Sequence, residues 1–286
     1  MDTLLVSRPA CAAVHERDAQ GCSYRIAWSI NPHMRVDSAD PIRARAQHAR
    51  FVTTLRRSCA QVLRLPFVHG AYDSVFLKDS VVLTEHAGEL EALIASPAHP
   101  VRLAEQGARA AQLRRLGFKV TGPLASPLEG GDVIVPASGG FALLGHGFRS
   151  SRDSSAGLAQ FLRREVITLE LCDPSLYHLD TALVVLSNNT AVICEQAFTT
   201  PALQTMFRLP FAEIRVVSPA QARRFALNVV ELGDTVVTGT DSADMALLWG
   251  SLGRRQVVAH VDEFQLAGGS AACLVGRIHR LQRART

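Results

Sequence analysis

Ser80–Thr84 reads SVVLT, a β-branched run too short for a helix and rich in strand formers. Similar runs follow at Gly140–Gly145 (GFALLG), Thr190–Cys194 (TAVIC) and Asp234–Thr238 (DTVVT). They begin at 80, 140, 190 and 234, so a unit of strand, strand, helix and strand recurs at roughly fifty-residue intervals. The first unit reads as a pair Ser74–Phe76 with Ser80–Thr84, a helix over Leu103–Leu116 and a strand at Phe118–Thr121. The second pairs Asp132–Val135 with Gly140–Gly145, the third Thr181–Leu186 with Thr190–Cys194, the fourth Asn228–Leu232 with Asp234–Thr238. Each ends in a helix and a strand: Ser155–Arg164 and Val166–Leu171, Pro201–Phe207 and Ile214–Ser218, Ser242–Leu252 and Gln256–Val261. Upstream, Thr3–Ser7 reads as a strand and Asp40–Val62 as an amphipathic helix with Pro41 in its first turn. The last apolar run, Leu274–Ile278, can pair with the N-terminal strand and close a ring. No linker or low-complexity segment interrupts the chain, so the expectation is one closed α/β domain over 1–286.

Composition narrows the function. The 286 residues are 48% hydrophobic and 20% charged, with net charge +4, which suits a large packed core and argues against disorder. The basic residues are scattered except for Arg277, Arg280, Arg283 and Arg285, which a solvated tail explains better than nucleic acid does. The N-terminus lacks a signal-peptide pattern, and no apolar stretch approaches the ~20 residues of a spanning helix. The six cysteines are widely spaced, with no CxxC pair and no His/Cys cluster in the sequence to suggest zinc. A reducing cytoplasm, no membrane, no nucleic acid, no cofactor and no metal are therefore expected. Oligomeric state is open, a homo-oligomer being compatible with the composition.

The chemistry-bearing residues recur at corresponding places in the units. Asp73 and Asp79 flank the first inner strand. Glu129 and Asp132 (LEGGD) open the second, His178 and Asp180 (YHLD) the third, and Cys273 (AGGSAAC) precedes the last. Taken singly, each has a plainer explanation: His-x-Asp as a turn or cap, Glu-Gly-Gly-Asp as a turn using glycine's positive φ, Cys273 as a small hydrophobe. In a radial repeat, equivalent places converge on one centre, and a thiol, an imidazole and several carboxylates then share a pocket. That set suits a planar cationic guanidinium. Asp79 and Asp180 would hold its N–H groups in paired, charge-assisted bonds. The bound cation would favour the Cys273 thiolate as nucleophile. His178, oriented by Glu129, would protonate the leaving nitrogen and then activate water.

The order VFLKD, LEGGD, YHLDT and GGSAAC resembles the guanidino-group modifying (pentein) superfamily of arginine deiminases, dimethylarginine dimethylaminohydrolases, arginine dihydrolases and amidinotransferases. The resemblance runs from Ile30–Met34 (INPHM) to Gly268–Leu274. It implies a five-bladed α/β propeller of ββαβ units. It also implies Cys273 as nucleophile, His178 as general acid/base with Glu129 its carboxylate, and Asp79 on the guanidinium. Asp180 fits the HLD form of deiminases and amidinotransferases, where dimethylarginine hydrolases resemble HLK. Asp73 resembles the PDSVF of the latter, and Arg102 and Arg149 fall where they place arginines for the substrate's α-carboxylate. Lys78 stands where those enzymes carry Glu, and Asp79 where arginine dihydrolases resemble Asn. The expected activity is metal-independent hydrolysis of a guanidino C–N bond of arginine or a derivative through a covalent amidino-thiol intermediate. The product would be ureido, with ammonia or an alkylamine released. The alternatives are amidino transfer to an amine, dihydrolase release of ornithine, and a non-catalytic binding scaffold of the kind found among ribosome-binding penteins.

Overall fold

The computed structural model describes residues 2–12, 21–58, 60–138 and 140–281. Cys59, Arg283 and Arg285 lie outside the described residues. The strands, in chain order, are β1 (Asp2–Ser7), β2 (Ala60–Leu65), β3 (Val81–His86), β4 (Glu89–Ile94), β5 (Lys119–Thr121), β6 (Val133–Ile134), β7 (Phe141–His146) and β8 (Glu165–Glu170). They continue as β9 (Leu183–Val185), β10 (Thr190–Ile193), β11 (Glu213–Val216), β12 (Val230–Leu232), β13 (Thr235–Thr238), β14 (Arg255–Val258) and β15 (Val275–Leu281).

Three three-stranded sheets share one plan: β6-β7-β8, β9-β10-β11 and β12-β13-β14, each an antiparallel hairpin followed by a parallel third strand. A helix makes each parallel crossover: Ser155–Leu162, Thr200–Met206 and Ala243–Ser251. Each lays its apolar stripe on its own strands, as Leu158 and Leu162 pack with Ala142 and Leu144. The remaining six strands form one sheet, β2-β1-β15-β3-β4-β5. It contains the same plan twice. Strands β3-β4-β5 cross over through helix Ala104–Arg115. β15 is antiparallel to β1, which is parallel to β2 across helix Pro41–Arg57. The two sets meet where β15 runs parallel to β3, Ile278 opposite Leu83. The first strand of every set contributes to one cavity of about 570 Å³, lined among others by Val81, Val133, Val184, Val230 and Ile278.

Local chemistry explains the elements. Asp40 caps helix Pro41–Arg57 by accepting from Ile42 N and Arg43 N, Pro41 fills the first turn, and Arg56 and Arg57 complement the C-terminal dipole. Its buried stripe, Ala44, Gln47, His48, Phe51, Val52 and Leu55, keeps helical spacing.

The structure corrects the sequence in three places. The long helix stops at Arg57, because Ala60–Leu65 leaves it as β2 beside β1. Ser74–Phe76 is not a strand: Tyr72–Val75 is a 3-10 turn and Leu77–Ser80 a single helical turn. The partner of SVVLT is instead Glu89–Ile94, reached through Ala87 at φ 53° and Gly88 at φ 85°. These left-handed central residues suit a two-residue hairpin. SVVLT is thus the first strand of its unit, whereas GFALLG, TAVIC and DTVVT are second strands.

Candidate active site

Asp79, Glu129, His178, Asp180 and Cys273 converge at the ends of the first strands, each in or beside the short turn before one. Asp79 lies in the turn Leu77–Ser80 before β3, and Glu129 precedes the 3-10 turn Gly130–Asp132 before β6. His178 heads the turn Leu179–Ala182 before β9, with Asp180 inside it. Cys273 stands two residues before β15. All are buried, as are Asp73, Asp132, Arg102 and Arg149.

The Gly-Gly of LEGGD is required by close approach rather than by positive φ. A Cβ on Gly130 would fall 2.0 Å from the Lys78 carbonyl oxygen. One on Gly131 would fall 2.6 Å from His178 Nδ1 and 2.8 Å from Asp79 Oδ1. The backbone of one turn is pressed against the His178 and Asp79 side chains of two others, which only glycine permits.

His178 sits between two carboxylates: Nε2 is 3.0 Å from Glu129 Oε2, and Nδ1 is 3.6 Å from Asp79 Oδ1. Burial disfavours its charged form, but Asp79, Asp132 and Glu129 outweigh that and raise its pKa to about 9. Glu129 is pulled below the usual carboxylate range: burial alone would raise it, but His178, Arg149 and Arg102 prevail. Asp132 is raised to about 7 by burial. Its oxygens accept from Leu179 N and Ser150 N and fix the His178 turn to its neighbour.

Cys273 Sγ lies 3.8 Å from Asp180 Oδ2 and 3.2 Å from Asn228 Nδ2. Asn228 Oδ1 accepts from the backbone N–H groups of Ala272 and Cys273. Burial, then Asp180 and Asp79, hold the thiol well above its ordinary pKa, so it is protonated while no cation lies beside it. Lys78 Nζ is 3.4 Å from Asp180 Oδ2.

Arg102 donates Nε and NH2 to both oxygens of Glu105 and NH1 to Asp79 Oδ2 at 2.9 Å. Arg149 lies 3.4 Å from Glu129 Oε2, donates to the Ile30 carbonyl and stacks over the Tyr177 ring at 4.7 Å. Asp73 Oδ2 accepts from Trp28 Nε1 at 2.6 Å, and burial raises its pKa to about 6. Cys273, Asp79, Asp73, Arg102 and Arg149 line one recess together with Ile30, Asn31 and Met34. The enclosed space is about 10 Å³, roughly one water. Asp73 Oδ1 and Asp79 Oδ1 are buried without a hydrogen-bond partner, two acceptors suited to N–H donors of a cation. Asp79, Glu129 and His178 also offer ligand atoms within 4.8 Å of one another. Two guanidinium groups on the same carboxylates oppose adding a divalent cation there.

Sequence reading missed Asn228, Trp28 and Tyr177 as members of this site. Asn228 had a readable signal: it stands just before β12, where the other units carry Asp79, Glu129, His178 and Cys273. Trp28 and Tyr177 had none, since their roles depend on contacts distant in sequence.

A family profile described as N,N dimethylarginine dimethylhydrolase, eukaryotic, matches residues 34–280. The N(G),N(G)-dimethylarginine dimethylaminohydrolase of Mycobacterium tuberculosis is 30% identical over 257 residues, 90% of this chain and 83% of that protein. A bifunctional arginine dihydrolase/ornithine cyclodeaminase of Synechocystis is 29% identical over 261 residues; the match covers 89% of this chain but 36% of that longer protein. The N-terminal domain of a cyanobacterial arginine dihydrolase, crystallised with substrate as a cysteine-to-serine mutant, has a TM-score of 0.89 at 25% identity. It covers 99% of this chain and 100% of that one.

Proposed function

The chain belongs to the dimethylarginine dimethylaminohydrolase family of guanidino-group modifying enzymes, and on that footing we propose that Cys273 opens a guanidino C–N bond of arginine or an N-substituted arginine by covalent catalysis. The chain is a hydrolase of C–N bonds. The observation that carries the finer reading is the pair of unpartnered buried oxygens, Asp73 Oδ1 and Asp79 Oδ1, in the recess that Cys273 lines. A guanidinium brings N–H donors to both and a positive charge to the thiol. It thereby lowers the thiol's pKa and generates the nucleophile on binding.

The thiolate adds to the guanidino carbon. His178, an imidazolium at neutral pH, protonates the departing nitrogen, and ammonia or an alkylamine leaves an amidino-thiol. His178, now neutral, removes a proton from water as it attacks the same carbon. Collapse of that adduct expels the Cys273 thiolate and a ureido product. Arg102 and Arg149 flank the recess as partners for the substrate's α-carboxylate. Arg102 would release part of its hold on Asp79 as it turns to that group. The recess holds far less than a substrate, so binding requires its lining to open.

The same reading extends to architecture. The five strand sets would be the blades of one propeller domain spanning 1–286, with the turns carrying the site at one mouth of its centre. Support comes from the first strands of all five sets lining one cavity. Among the described residues, no helix is long and apolar enough to cross a membrane.

Mass spectrometry of products tests the activity. Arginine, monomethyl- and dimethylarginine and agmatine would each be supplied with and without glycine, ornithine or lysine. A ureido product with ammonia or methylamine, independent of acceptor, is expected. An amidinated acceptor would make the protein a transferase, and ornithine formed from arginine a dihydrolase.

The glycine packing adds a second expectation. Gly131→Ala drives a methyl into His178 and Asp79, and displacement on that scale costs roughly 100-fold in kcat/KM. Steady-state kinetics beside a thermal melt would check it. An active variant would mean that the two side chains need not hold these positions.

A further inference from the structure

The arm that leads to Ile30 in the recess lining carries a second group of soft side chains, which no motif in the sequence brings together. Segments 9–11 and 22–24 run antiparallel. Ala10 bridges to Ser23, the Cys11 N–H donates to the Cys22 carbonyl at 2.8 Å, and the Tyr24 N–H donates to the Pro9 carbonyl at 2.8 Å. This register sets Cys11 directly opposite Cys22, where side chains touch. His69 approaches from a separate segment, its Nδ1 3.2 Å from Cys22 Sγ. The Gly70 N–H fastens that segment to the Gly21 carbonyl at 2.9 Å. Gly21 has φ +98°, and a Cβ there would meet His69 Cε1 at 3.0 Å, so the imidazole is seated closely because position 21 has no side chain. Ligand atoms of Cys11, Cys22 and His69 all lie within 4.8 Å of one another.

We propose that Cys11, Cys22 and His69 form a site for a thiophilic divalent ion of the zinc class, with two sulfurs and one imidazole nitrogen as ligands and water as the fourth. Zinc takes sulfur at about 2.3 Å and nitrogen at about 2.0–2.1 Å in a tetrahedron, which puts neighbouring ligand atoms roughly 3.5–3.8 Å apart. The group reaches that spacing by small side-chain rotations. Two thiols bind as thiolates, so each ion taken up releases two protons. Cys22 is buried, Cys11 half-buried and His69 exposed, which leaves one side open to water. A cross-strand disulfide would use both sulfurs but leave unexplained the imidazole seated on Cys22. The ion would fasten the arm whose later residues, Trp28 and Ile30, reach Asp73 and the recess to the segment that carries Tyr72 and Asp73.

Cobalt(II) is a suitable probe, added to metal-free protein carrying Cys273→Ser so that the recess thiol cannot contribute. One cobalt per chain is expected, with a near-ultraviolet thiolate charge-transfer band and tetrahedral visible bands, displaced by zinc. Cys11→Ser, Cys22→Ser and His69→Ala, each in that background, should weaken binding at least about 100-fold. Excess zinc should raise the unfolding midpoint of the parent by roughly 5 °C and leave the Cys11→Ser variant unmoved. Three results would overturn the site: no stoichiometric cobalt band, a band that survives Cys11→Ser and His69→Ala, or a Cys11–Cys22 disulfide persisting under reductant. The exposed His69 keeps the test decisive even where Cys22→Ser folds poorly.

Discussion

Cys273→Ser is expected to lower kcat by about four orders of magnitude or more, with the fold intact. Serine is close to cysteine in volume, and Asn228 holds the position chiefly through backbone N–H groups that the substitution keeps. The lost step is attack, because a serine hydroxyl is a far weaker acid than a thiol, so a bound cation leaves it protonated, and His178 is already an imidazolium. A thermal melt within a few degrees of the parent, beside absent turnover and no covalent adduct by intact-protein mass spectrometry, would meet the expectation. Retained turnover would sink the covalent mechanism. The high pKa of the free thiol adds a sharper test. Alkylation of Cys273 by a neutral haloacetamide near pH 7 should be slow, whereas a chloroacetamidine, which carries its own cation to Asp79, should label it rapidly.

His178→Gln is expected to cost roughly 10²–10⁴ in kcat. The wild-type pH profile should fall on its basic side near the pKa of about 9 that its carboxylates impose. Glu129→Gln removes one of them, and the imidazolium must then deprotonate at lower pH, so the basic limb moves towards neutrality by at least about one unit. The same shift makes a stability statement. The folded pKa lies above the unfolded value, so the contribution is fully present below about pH 6.5 and is lost as pH rises through about 9. Its size is about 3 kcal/mol. Unfolding midpoints measured from pH 6 to 10 should fall for the parent and change less for His178→Gln. Parallel curves would show that His178 is not held as the cation.

Much of this was legible because it rests on local chemistry. TAVIC and DTVVT are β-branched and short, and they are strands. Asp79, Glu129, His178 and Cys273 stand in equivalent turns, so a repeat read along the chain carries over into a cluster in space. The failures have physical causes. Glu89–Ile94, ELEALI, is built from helix-favouring residues and is a strand because β3 and β5 bond it on both sides. Missing it shifted the phase of the first unit. The glycines of LEGGD suggested a turn conformation, but what demands them is proximity to Lys78 and His178, a fact of packing with no local signature. The His/Cys grouping at Cys11, Cys22 and His69 escaped for the same reason, since an antiparallel register and a distant loop create it.

The position of β15 between β1 and β3 has a kinetic consequence. The strand that joins the two halves of the six-stranded sheet comes near the end of the chain, and its partner Leu4 near the beginning. Until β15 has been made, β1 and β3 each expose an edge able to pair with another chain, and the loop to be closed is almost the whole sequence. Cys273 stands two residues before that strand, so the thiol is brought to its carboxylates as this pairing forms. A chain made only as far as Leu274 therefore has no assembled site, and its two open edges leave it prone to aggregate until β15 pairs.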